Sequence, residues 1–437
     1  MKIKKIETNY KKNILLKEQE LDVRTYDYDK QENNLIFIYP DKEKQEILGF
    51  GGAVTESSGY VFSKFSDKVQ DKFINEYFSE DGLKYNFVRM SIGSCDFSLK
   101  TRDYSEQEDL SDFTIEEDKK YILPLLNKIN EKGNNINYLA SPWSPPSFMK
   151  SNGKMSSGGK LKEEYYDLWV EYIKRFIEEY KKEKINIKYL TIQNEPEAKQ
   201  IWESCLYNSD EEADFAINHL IPKIDKNIKV LCWDHNKDRL YSRAQEIFEK
   251  DKDNKIAGIG YHYYSGDHFN NVKLTREKYP NKLMIHTEGC TGIAFNRRAR
   301  QVPNAEIYAH DIIGDLNNGT NAYIDWNILL DFKGGPNHVL NYCNSPIMAN
   351  IFGNKYKKNA CYYYIGHFSK YIEKGAKVIE NSIFTDRLEV LSVKNPDGKI
   401  VVIVMNKSNK KDYFELVKDG KAICNKIAPH SIITFII

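Results

Sequence analysis

From Gln45 onward the hydrophobic positions alternate between two textures. Short, nearly continuous apolar runs occupy residues 47–53, 85–91, 136–141, 187–194, 230–234, 256–262, 282–288 and 321–326. Between them lie longer stretches whose apolar residues recur every three or four positions, such as Ser66–Phe78, Ile115–Ile129, Glu163–Tyr180 and Glu211–Ile224. Phe73, Ile74, Tyr77 and Phe78 show the pattern, since helical geometry puts all four on one face. Strands that are apolar throughout are buried on both sides, which parallel strands covered by helices achieve. Eight such strand–helix units predict a (β/α)₈ TIM barrel, and Gly49 to Phe368 exceeds the ~250 residues that fold usually takes. A doubly wound open sheet is the alternative, but its nucleotide fingerprint is missing. Gly49-Phe50-Gly51-Gly52 fits neither glycine-rich phosphate motif and reads as a tight turn at a strand end.

Outside this region the strands lose their helices. Asn13–Leu16 and Leu35–Tyr39 precede the barrel. After Phe368, residues 387–393, 400–405 and 431–437 are β-prone, with turns at Asn395-Pro396-Asp397-Gly398 and Asp419-Gly420, as in antiparallel hairpins. Residues 1–45 and 369–437 are therefore expected to build one attached antiparallel β-sandwich, with residues 46–368 as the barrel.

Charge and cysteine content narrow the partners. Across 437 residues, 64 basic and 63 acidic side chains leave a net charge of +1, with both signs interspersed. A nucleic-acid partner or anionic membrane surface would call for a basic patch. No run approaches the ~18 apolar residues of a membrane span, and no apolar segment follows the basic N-terminus, so a cytoplasmic location is expected. The seven cysteines are odd in number and widely spaced, which suits reduced thiols. The histidines form no metal-ligand spacing, and no metal or other cofactor is expected.

In a (β/α)₈ barrel the chemistry sits at the C-terminal ends of the strands. Those ends carry Arg89, Trp143, Asn194, Glu195, His262, Tyr264, Glu288 and Trp326. Glu195 closes the run Lys188–Glu197, where the strand delivers Asn-Glu directly into Pro196. Two carboxylates across a barrel mouth are the equipment of glycoside hydrolysis, one protonating the leaving oxygen and the other stabilising or trapping an oxocarbenium-like centre. Trp143 and Trp326 offer flat faces to a sugar ring, and Asn194 suits its 2-hydroxyl. His262 and His286, lone histidines beside strands, read as satisfied core residues.

Several motifs, in order, carry a resemblance: Gly49-Phe50-Gly51-Gly52-Ala53, Tyr77-Phe78-Ser79, Ser94-Cys95-Asp96-Phe97-Ser98, Ala140-Ser141-Pro142-Trp143, Asn194-Glu195-Pro196, Glu288 with Cys290, Asp325-Trp326-Asn327, Gly334-Gly335-Pro336-Asn337 and Gly366-His367-Phe368-Ser369-Lys370. Together they resemble glycoside hydrolase family 30, most closely its glucosylceramidase branch. The resemblance implies a retaining mechanism with Glu195 as general acid/base and Glu288 as nucleophile, and carboxyl groups ~5–5.5 Å apart. Arg89 matches an arginine that keeps the nucleophile ionised; Trp143, Trp326, Asn194 and Asn341 match sugar-contacting positions; Tyr264 matches an aromatic residue beside the catalytic pair. Glu195 is expected to hold its proton at neutral pH. Glu56 stands where the pattern has a sugar-binding Asp and is expected to bind sugar hydroxyls itself, and Tyr263 stands where it has Trp; both departures leave glucose and xylose open as the glycone. The implied activity is a retaining exo-acting β-glycosidase on a carbohydrate or glycolipid substrate, most closely a β-glucosidase of the glucosylceramidase kind. A β-xylosidase is the near alternative, and a catalytically silent sugar-binding barrel is the rival from another class. Loops 150–160 and 291–304 are expected to select the aglycone.

Overall fold

The computed structural model describes residues 2–27, 34–133, 135–292 and 300–437. All eight apolar runs become strands of one closed parallel barrel: β1 (Gly49–Ala53), β2 (Phe87–Ile92), β3 (Asn137–Pro142), β4 (Ile187–Thr191), β5 (Lys229–Asn236), β6 (Gly258–His262), β7 (Leu283–Glu288) and β8 (Ala322–Asn327). Neighbours in sequence are neighbours in the barrel, and β8 closes onto β1. Every residue of β2, β3 and β8 is buried, which explains why these strands carry no polar alternation.

Three local readings change. The glycine run 49–52 is not a turn: it lies in β1, where the Gly51 backbone packs on the Phe87 carbonyl so closely that a Cβ would collide with it. A helix not anticipated from the periodicity, α1 (Glu56–Ser63), follows immediately, capped by the Thr55 hydroxyl accepting the Ser58 N–H. Serines and a glycine hid it, since they weaken intrinsic helix propensity. The remaining expected helices form as α2 (Asp67–Phe78), α3 (Asp118–Lys132) and α4 (Tyr166–Lys182). The helix expected over 211–224 is broken into a short α segment, a π turn at Phe215–Leu220 and a 3₁₀ turn at Ile221–Lys223. Pro222 is the physical reason, because it has no N–H for the α ladder.

The terminal strands form a separate β-sandwich. Lys2–Asn9 lies between Ile14–Asp22 and the last strand, Ser431–Ile436. Asn34–Glu46 pairs antiparallel with Lys377–Ile383 and parallel with Asp412–Lys418. Alternate residues point inward, so that Ile36, Ile38, Val402, Val404, Ile433 and Phe435 share one core. Each such side chain contributes roughly 1.5–3 kcal/mol of burial, which ties the first and last segments of the chain into one domain. Among the described residues no helix is long and apolar enough to cross a membrane.

Candidate active site

The barrel mouth is organised around a buried cation. Arg89 on β2 is fully buried, and its guanidinium reaches four strands' ends at once. One nitrogen donates to Glu288 Oε2, a second to Asn194 Oδ1 at 2.8 Å and Asp234 Oδ2 at 2.9 Å, and Nε to Ser141 Oγ at 3.2 Å. Its flat face lies 4.8 Å from the Trp143 ring and 5.4 Å from that of Trp326, and the two indoles stack at 5.5 Å. A desolvated guanidinium persists only if its donors are all used. Burial works against its charge, but Asp234 and Glu288 outweigh burial and hold it above the usual arginine range.

Asp234, at the end of β5, is the second hub. Its carboxylate accepts from Thr287 Oγ1, from Thr191 Oγ1 at 2.7 Å and from Ser141 Oγ at 2.9 Å, besides Arg89. Although burial opposes ionisation, Arg89 and the surrounding donors hold it well below the ordinary carboxylate range. Trp233 and Asp234 have φ of 74° and 49°, and Glu195 has φ of 47°, all in the left-handed region that non-glycine residues avoid. The surroundings hold this backbone in place. Glu195 N–H donates to the Asp234 carbonyl at 2.9 Å, and the Trp233 N–H donates to the buried Glu212 carboxylate, itself paired with Arg243.

The two sequence-identified carboxylates sit in different surroundings. Glu288 Oε2 pairs with Arg89, while its Oε1 accepts the Tyr264 hydroxyl at 2.8 Å. Glu195 Oε1 faces His262 Nδ1 at 3.2 Å and His235 Nδ1 at 3.9 Å. His262, at the end of β6, is therefore not a passive core residue. Its other nitrogen lies 3.1 Å from Asp234 Oδ1, so a carboxylate stands at each side of the ring. Burial lowers its pKa, but the Glu288 charge and the bonds to Asp234 and Glu195 raise it to about 9. For Glu195, burial pushes upward, yet the hydrogen bond and charge of His262 win and move it below the usual range. Glu195 was expected to hold the proton alone; instead the two shifts run oppositely across one contact, His262 up and Glu195 down, so the pair shares a proton drawn towards His262.

Asn341 is also at the mouth, where its side-chain amide donates to Asp96 Oδ2 at 2.8 Å. Asp96 follows β2, is buried, and is pushed up to about 8 by burial first and by the Glu288 charge second. It stood within the recognised Ser94–Ser98 motif, and an acid just past a barrel strand was the signal that should have singled it out. Glu56 is placed otherwise. It opens α1, accepts the Leu99 N–H at 3.1 Å and lies 3.7 Å from Arg102 Nε, so its carboxylate supports the loop after β2. Tyr263 donates its hydroxyl to the Cys290 carbonyl at 2.7 Å. Beyond the mouth, Ile201 and Leu340 are 75% and 71% exposed. In loop 150–160, the buried Lys150 ammonium donates to Ser144 Oγ and to the Met155 and Ser204 carbonyls. Of loop 291–304, residues 293–299 lie outside the described residues.

The chain is 33% identical over 431 residues to putative glucosylceramidase 3 of Caenorhabditis elegans, covering 92% of this chain and 82% of that one. SrfJ from Salmonella typhimurium superposes with a TM-score of 0.97 at 33% identity, over 100% of this chain and 99% of that chain. The endo-β1,6-glucanase BT3312 superposes with a TM-score of 0.89 at 25% identity, over 99% and 98%. Residues 47–372 match the glycosyl hydrolase family 30 TIM-barrel domain and residues 375–435 the glycosyl hydrolase family 30 beta sandwich domain. A match of both domains across this much of its length makes the chain a member of glycoside hydrolase family 30.

Proposed function

We propose that this glycoside hydrolase is a retaining, exo-acting β-glycosidase that cleaves β-glucosides carrying an apolar aglycone, as in glucosylceramide-type lipids. One observation carries the reading: the two glutamates occupy chemically different surroundings, Glu288 between a guanidinium and a phenol, Glu195 against the His262 imidazole. Glu288 acts as nucleophile at the anomeric carbon, with Arg89 and Tyr264 holding it in line. His262 passes a proton across the 3.2 Å contact to Glu195, which delivers it to the departing oxygen and is left as a carboxylate. In the second half-reaction Glu195 takes a proton from water, which then hydrolyses the glycosyl-enzyme ester. Trp143 and Trp326 form the apolar wall for the glycone, while Asn194, Asn341 and Asp96 supply polar contacts. Asp96, neutral up to about pH 8, both donates and accepts. Exposed Ile201 and Leu340 suit an apolar leaving group.

The likeness to an endo-β1,6-glucanase supports a second reading, a β-glucan substrate. Initial rates on aryl β-glucoside, β-xyloside, β-galactoside and β-fucoside, on glucosylceramide and on β-1,6-glucan separate the two, because kcat/KM ratios report the pocket directly. Covalent labelling of Glu288 by a 2-fluoro-glucoside is expected. Inverted anomeric configuration in the first-formed product would sink the retaining assignment, and absence of turnover on every glycoside would favour a silent sugar-binding barrel.

A further inference from the structure

Two buried thiols that the proposed chemistry does not use meet beside the candidate nucleophile. Cys290 Sγ and Cys343 Sγ lie 3.1 Å apart, although 53 residues separate them in sequence. They meet because the segment after β7 runs alongside the loop after β8. Gly292 and Cys343 form an antiparallel bridge, and the Asn344 side chain donates to the Gly292 carbonyl at 3.1 Å. Both side chains are nearly closed to solvent, at 5% and 7% exposure, in an apolar cluster with Trp143, Trp326 and Met348. Each thiol also adjoins the site. Cys290 Sγ is 3.8 Å from the Tyr264 hydroxyl that holds Glu288, and Cys343 is two residues from Asn341, which bonds Asp96.

We propose that Cys290 and Cys343 are a reversible modification site, joined as a disulfide by a peroxide oxidant, and that the joined form is a poorer glycosidase. The sulfurs need to approach by only about 1 Å to reach a ~2.05 Å bond. One thiolate attacks hydrogen peroxide, releasing water and becoming a sulfenic acid; the other thiol displaces that hydroxyl as a second water, leaving the S–S bond. Two thiols are oxidised and one peroxide is reduced. A dithiol reverses the bond by exchange and is itself oxidised. The new bond draws Cys290 away from Tyr264 and pulls the loop bearing Asn341 towards β7, so the groups around Glu288 and Asp96 move together. The hydrogen bond from Cys290, burial and the nearby Asp96 and Glu288 carboxylates all push the Cys343 thiol upward, which makes that thiol slow to react at neutral pH.

The activity part of this inference rests on the proposed glycosidase reading, whereas the bond itself does not. The reduced full-length protein is treated with hydrogen peroxide, digested without reductant and analysed by mass spectrometry, while hydrolysis of an aryl β-glucoside is followed in parallel. A linked Cys290–Cys343 peptide is expected, with activity down about tenfold or more from displaced catalytic groups and restored by dithiothreitol. The Cys343→Ala variant should keep its activity under peroxide. The proposal is overturned if other thiols are oxidised while no linked peptide forms, if the link forms with activity unchanged, or if Cys343→Ala is inactivated equally. The peptide analysis of the unmodified sequence needs no variant to fold. A reduced protein that cleaves no glycoside would refute the functional reading and leave the disulfide to be judged by the peptide alone.

Discussion

Replacing His262 by asparagine removes the proton held between Glu195 and Asp234, and the cost has a defined pH window. In the folded protein the imidazole titrates at about 9, against 6.5 for an unperturbed histidine. At about 1.4 kcal/mol for each pKa unit, the charged ring contributes on the order of 3 kcal/mol to stability. Because the folded value is raised, that contribution is fully present below about pH 6.5 and disappears as pH rises through about 9. The groups facing the ring include Asp234, Glu195, Glu288, His235 and Tyr264; the lysines that titrate above this window remain in both proteins and cancel in the difference. Thermal or urea unfolding of wild type and His262→Asn from about pH 6 to about pH 10 should therefore show a gap that narrows by roughly that amount. Activity offers a second readout. The Glu195–His262 pair owns one removable proton, so the alkaline limb of kcat/KM should lie near 9 in the wild type and move in the variant. A stability gap that stays constant over the whole range, with an unmoved alkaline limb, would refute the placement of the proton on His262.

Arg89→Lys keeps the charge but cannot reproduce a fork that bonds Glu288, Asn194, Asp234 and Ser141 together; kcat/KM should fall by about 10²–10³ at wild-type-like expression. Arg89→Met leaves buried carboxylates uncompensated and should cost roughly 3–5 kcal/mol in denaturant unfolding. Glu195→Gln and Glu288→Gln should each lower turnover of a glucoside with a poor leaving group by about 10²–10⁴ with an unchanged circular dichroism spectrum; turnover near that of the wild type in either would remove that residue from the mechanism. Asp96 is neutral below about 8, so KM should rise as pH climbs past that value in the wild type and stay flat in Asp96→Asn.

The eight barrel strands and the terminal hairpins were legible in the sequence because both depend on local periodicity: continuous apolar runs for strands buried on two faces, alternation and turn residues for the sandwich. Strand counting then brought Arg89, Trp143, Asn194, Glu195, Tyr264, Glu288 and Trp326 to one end of the barrel, since that end is defined by strand direction alone. Helix α1 escaped because its serines and glycine are set by packing, Gly59 fitting against the Tyr121 backbone, and not by propensity. Glu56 and Asp96 lie at neighbouring strand ends, and only their contacts separate them, one facing Arg102 and the other Asn341. The location of the proton was likewise beyond the sequence. It depends on Asp234, Glu195 and Glu288, carried by three different strand ends, all acting on one imidazole through a few ångströms of desolvated space. Charges and sulfur contacts of this kind act through distance in three dimensions, so the residues that perturb one another have no fixed spacing along the chain.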